Sequence, residues 1–181
     1  NKGLFEECKG LKTVIFVNGV GEMDNYLFNY CKNLKTVWWK GKINRIGVQC
    51  FGATGLEQFC VNAKNIDSCT FTGCEDLKEI HIRSGVENLN MTAFAMLTGI
   101  ETICLEGIDP DVMEADWVNL QNSTVTILVP ENTTNEQLQL VTQKFASAYI
   151  IINKSQVQKG SCQLSDDPMP DIDGLVGAYG I

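Results

Sequence analysis

One residue type recurs at a spacing that leaves few folds open. Phe5, Phe28, Phe51, Phe71 and Phe94 follow one another at intervals of 23, 23, 20 and 23 residues. Six residues after its Phe, each unit places an aliphatic, Leu11, Leu34, Leu77 or Ile100; in the third unit Leu56 follows after five. From each aliphatic the pattern L-x-x-L-x-L runs on: Leu11, Val14, Phe16; Leu34, Val37, Trp39; Leu56, Phe59, Val61; Leu77, Ile80, Ile82; Ile100, Ile103, Leu105. Its last three residues alternate as a short strand does. Apolar or small residues also stand eight and five positions before each later Phe, at Val20 and Met23, Ile43 and Ile46, Ala63 and Ile66, Val86 and Leu89. A unit of about 23 residues cannot bury itself, whereas stacked units bury one another's apolar rows in one continuous core. The spacing predicts a solenoid of about five coils, an α/β or mainly β repeat with a parallel sheet on one face.

The cysteines fall into the same register. Cys8, Cys31 and Cys74 each stand three residues after their Phe, and Cys50 stands immediately before Phe51, where a later unit has Ala93. No C-x-x-C occurs, so zinc-finger and thioredoxin-like readings fail, and small buried residues of a repeat row are expected instead.

The segment from Val20 through Met23 to Phe28, Cys31, Leu34 and Val37, and the run Ile43, Ile46, Gly47, Cys50, Phe51, resemble the BspA-type leucine-rich repeat, whose consensus reads V-x-x-I-G-x-x-A-F-x-x-C-x-x-L-x-x-V. The likeness spans residues 3 to 106, and the third unit departs from it with Thr54 in place of the Cys. The resemblance implies a leucine-rich-repeat solenoid. It also implies a secreted or bacterial cell-surface protein linked to adhesion.

Beyond Leu105 the register decays through Glu106 to Leu120, an acidic stretch that reads as a degenerate coil. Val125, Ile127 and Val129 then alternate as a strand stopped by Pro130. Thr134 and Gln137 form a capping-box signal, with Leu138, Val141 and Phe145 at helical spacing over residues 134 to 147, and Ala148 to Ile152 reads as a further strand. Strand, helix and strand are expected to cap the open end of the solenoid. The expected organisation is repeats over 1–106, a degenerate repeat and cap over 107–153, and an acidic tail or linker over 154–181. Because the chain begins inside a unit, it is expected to be a fragment of a longer protein.

With 14 Lys and Arg against 22 Asp and Glu, the formal charge is −8, which argues against a nucleic-acid partner. No run of apolar residues reaches the length of a membrane span. The chain carries no G-x-S-x-G, P-loop or G-x-G-x-x-G, and His81 is its only histidine, so no catalytic machinery, cofactor or metal is expected. Cys60, His81 and Cys104 share an outward strand row and carry zinc-compatible atoms, but two strand spacings hold the sulfurs about 10 Å apart, too far for one tetrahedral site or a disulfide. Four N-x-S/T matches, at Asn90, Asn122, Asn132 and Asn153, read as coincidence in an Asn-rich chain.

The expected function is that of a monomeric, non-catalytic interaction module whose strand face meets an extracellular protein or glycan. A structural spacer that binds nothing is the alternative. Outward positions of the strands place the contact surface around an exposed Trp38, with Lys40, Glu79, His81 and Arg83 supplying polar contacts.

Overall fold

The computed structural model describes residues 3–90, 92–107, 124–145 and 149–154. The degenerate segment, with Asn122, and the acidic tail lie almost wholly outside these. In chain order the elements are β1 (Thr13–Phe16), β2 (Glu22–Met23), β3 (Thr36–Trp39), β4 (Ile43–Ile46), β5 (Gln58–Val61), β6 (Ala63–Ile66), β7 (Glu79–Ile82), β8 (Asn88–Leu89), β9 (Thr102–Leu105), β10 (Thr124–Val129), α1 (Asn135–Lys144) and β11 (Tyr149–Lys154).

These strands form a parallel β-solenoid, as the repeat predicts. The second apolar segment of each unit builds a row of its own, in the order β2-β4-β6-β8, all parallel. The L-x-x-L-x-L strands build the other face, but in two pieces: β1 pairs with β3, and β5 continues through β7, β9 and β10 to β11.

Each coil turns its corner around the Phe. Residues two before and two after it are left-handed: Tyr26, Gln49 and Cys69 before, Glu7, Tyr30, Ala53, Gly73 and Met96 after. For residues other than glycine this backbone costs about 1–2 kcal/mol each. Hydrogen bonds to the next coil offset the cost. Phe28 N–H donates to Cys50 O and Tyr30 N–H to Gly52 O, both at 2.8 Å, and the same pair of bonds recurs at Phe5, Phe51 and their neighbours. Inside the corner the five rings stack at 5.7, 5.6, 5.6 and 5.3 Å, within 13° of parallel. Phe28, Phe51 and Phe71 are fully buried, while Phe5 in the first coil stays 37% exposed.

The cysteine row has a hydrogen-bonding reason as well as a packing one. The Cys31 thiol donates to Phe5 O and the Cys74 thiol to Phe51 O, each at 3.0 Å and each reaching back one coil. Cys31, Cys50 and Cys74 are buried and Cys8 is half-buried. Thr54, in the place of the missing Cys, donates instead to its own Phe51 O at 3.0 Å and lies 3.3 Å from the Cys74 sulfur.

The helix late in the chain starts where the capping signal predicts. Thr134 accepts from Gln137 N–H while the Gln137 side chain accepts from Thr134 N–H, so both halves of the box are formed. Val125, Ile127 and Val129 of β10 and Val141 and Phe145 at α1 all join the core.

Candidate functional site

The strand face is where the sequence places the contact surface, and its geometry differs from the expectation in two ways. The first concerns exposure. Trp38, Cys60, His81 and Cys104 stand in the row that points away from the core, and Trp38, Cys60 and Cys104 are absent from the core cluster. They are nonetheless buried: Trp38 is 3% and His81 1% exposed. An exposed Trp38 and a solvated His81 ring are therefore corrected to a second buried layer on the outer side of the sheet. The His81 ring lies between its register partners Cys60 and Cys104, with Nε2 3.7 Å from a Glu106 carboxylate oxygen. The other Glu106 oxygen accepts from Arg83 Nε at 3.2 Å. Among the described residues the indole N–H of Trp38 finds no hydrogen-bond partner, nor does that of Trp39 on the core side.

The second difference is continuity. Lys35 and Thr36 donate to Lys12 O, Lys78 and Glu79 to Glu57 O, and Glu101 and Thr102 to Lys78 O, so most junctions carry the same pair of bonds. Among the described residues no such bond reaches Lys35 O, and nearly all Cα pairs between β3 and β5 lie more than 8 Å apart. The break falls at the short third coil, whose step from Phe51 to Leu56 is one residue shorter than in its neighbours. Three residues, Lys40 to Lys42, connect β3 to β4, but Asn62 alone connects β5 to β6. Trp39, large where other coils have Val61, Ile82 or Leu105, fills the opening against Phe59 at 5.8 Å between ring centroids.

Of the five site residues, Glu79, His81 and Arg83 come together on β7 and just beyond it. Trp38 and Lys40 sit across β5 and across the break, with Lys40 exposed and Glu79 and Arg83 partly exposed. Glu106, which ties Arg83 to His81, is the functional neighbour that strand alternation alone did not single out. Its signal in the sequence is the interval of 23 from Arg83. The same interval, give or take one, marks further pairs between adjacent coils: Lys35 with Glu57 at 2.9 Å, Arg45 with Asp67, Lys64 with Glu87 at 3.4 Å and Lys78 with Glu101 at 3.3 Å. The hydrogen bonds that Lys35 donates to Glu57 and then Asp76 hold its pKa above the ordinary lysine value.

Among the described residues no group of three or more His, Cys, Asp or Glu is placed to hold a metal. Burial pushes the thiols of Cys31, Cys50 and Cys74 up. A cavity of 670 Å³ opens at the corner of the first two coils, lined by Gly3, Leu4, residues 24–27 and Arg45. The Arg45 guanidinium beside it is already bound to Asp67 at 2.8 Å and Asn25 at 2.7 Å.

Stacked corners and paired parallel strands define a repeat solenoid. The profile of the BspA type leucine rich repeat region matches six copies over residues 1–65 and 58–155, and the chain belongs to that family. Repeats of this kind generally serve as interaction folds without enzymatic activity. No curated protein matches the chain. Among solved structures it is similar to a leucine rich cell surface protein from Faecalibacterium prausnitzii A2-165, at 15% identity and a TM-score of 0.43. The likeness covers 91% of this chain and 65% of that one. Among the described residues no helix is long and apolar enough to cross a membrane.

Proposed function

We propose that this chain is the interaction module of a secreted or cell-surface protein, and that its strand face engages an extracellular protein or glycan in adhesion. The observation that supports this best is the placement of charge on that face. Lys40, Glu79 and Arg83 stand at its margins over a stiff buried layer of Trp38 and His81. In this reading Trp38 and His81 support the surface, and direct contact falls to the charged residues. Rigid support lowers the ordering cost of binding.

The test is binding of the purified chain to immobilised extracellular-matrix proteins and to a glycan array. Lys40→Glu and Glu79→Lys, singly and together, should weaken captured binding by about tenfold or more while leaving circular dichroism unchanged. Binding that ignores both reversals would move the interface off the strand face. Absence of binding to every probe would favour the spacer.

A further inference from the structure

Cys8 and Cys31 occupy the same position of consecutive coils, three residues after Phe5 and Phe28. The two corners are locked in parallel: Phe5 N–H donates to Leu27 O at 3.0 Å, Glu7 N–H donates to Asn29 O at 2.8 Å, and the two rings stack at 5.7 Å. Parallel neighbours bonded in this way hold equivalent Cα atoms about 5 Å apart, inside the range a disulfide spans. Two coils further on, Thr54 Oγ1 and Cys74 Sγ at this same position come within 3.3 Å, which shows how closely the γ atoms of the row approach. Only in the first two coils are both occupants cysteine, since the row continues with Thr54, Cys74 and Leu97.

The two thiols are also unequally accessible. Cys8 is half-buried, whereas Cys31 is fully buried with its thiol held against Phe5 O. Burial raises the Cys31 pKa, so Cys8 is the sulfur that a reagent meets first.

We propose that Cys8 and Cys31 form a reversible disulfide that staples the first coil to the second when the chain meets a low-molecular-weight disulfide oxidant. The Cys8 thiolate, its proton lost to solvent, attacks one sulfur of the oxidant and expels the other half as a thiolate. The resulting mixed disulfide sits over Cys31. Cys31 then loses its proton, attacks Cys8 Sγ, and expels the remaining half. Two protein thiols are oxidised to one disulfide, and one oxidant disulfide is reduced to two thiols. The consequence is structural: the first coil has half-buried Leu11, Val14 and Phe16 and an exposed Phe5, and the staple closes the chain across a whole repeat.

Incubation of the native 181-residue chain with glutathione disulfide, followed by alkylation and peptide mapping, tests this directly. The expected result is a Cys8–Cys31 linked peptide, and amide exchange at Phe5 and Glu7 slowed by roughly 10- to 100-fold. Cys8→Ser, at a half-buried position, should keep the fold and abolish the link. A Cys8–glutathione adduct with Cys31 still reduced would overturn the proposal. Loss of two thiols that persists in Cys8→Ser would overturn it as well.

Discussion

Coils two and three meet differently from coils four and five. β7 and β9 pair along four residues, Glu79 with Thr102 through Ile82 with Leu105, while β3 and β5 do not pair. Yet the rings stack alike, Phe28 on Phe51 at 5.6 Å and Phe71 on Phe94 at 5.3 Å. The other face also carries straight through the break, with Ile43 on Ala63 and Ile46 on Ile66. A solenoid of this kind is thus held at its coil spacing by side-chain rows even where the strand ladder is interrupted. Magnitudes agree: a net hydrogen bond contributes about 1 kcal/mol, and a buried Phe several.

The sharpest way to break this comparison is to remove a ring at the open junction. Phe51 touches Phe28, Phe59 and Phe71, so Phe51→Ala should cost about 3–5 kcal/mol in urea unfolding. A loss under ~1 kcal/mol would mean that backbone bonds, not the ring row, hold the coils. Next in size is a repair. Inserting one Asn between Thr54 and Gly55 restores the six-residue step and should add two or three strand bonds, about 1–3 kcal/mol. Hydrogen exchange reads it out: amides of β3 and β5 that stay unprotected would show that the short Asn62 turn alone keeps the strands apart.

Smaller effects refine the picture. Thr54→Val keeps the shape but removes the hydroxyl that bonds to Phe51 O, which should cost about 1 kcal/mol by chemical denaturation. A neutral result would leave Thr54 as a packing residue only. Lys35 reaches two coils across the break, to Glu57 and Asp76, but all three side chains are well exposed. Lys35→Ala should therefore cost at most about 1 kcal/mol, and the difference should vanish in 1 M salt. Because the folded state raises the Lys35 pKa above its ordinary 10.5, its contribution is complete at neutral pH and fades as pH rises through the folded value. Stability profiles of wild type and Lys35→Ala that stay parallel through this alkaline range would remove Lys35 from the junction.

The repeat itself was legible because burial in a solenoid is local and periodic. Phe28, Phe51 and Phe71 face the same environment coil after coil, and the sequence states that environment several times over. The cap was legible for a related reason, since Thr134 and Gln137 bond within one helical turn and need no distant partner. The site was less so. Strand alternation placed Trp38 and His81 on the outer side, which is correct, and from that came an exposure that the structure does not have. Facing away from one core does not mean facing water. The pairing of Arg83 and His81 through Glu106 shows the same limit, because it joins residues a full repeat apart.

By itself, then, the sequence determined the stacked coil, its Phe and Cys rows and its capping helix, all of which follow from contacts that recur within a turn or at one fixed interval. Only the tertiary structure decided whether β3 and β5 would join and whether the outer row would be buried. Both depend on contacts that no single repeat contains: how the strand of one coil meets the strand of the next, and the packing of the second face of the sheet.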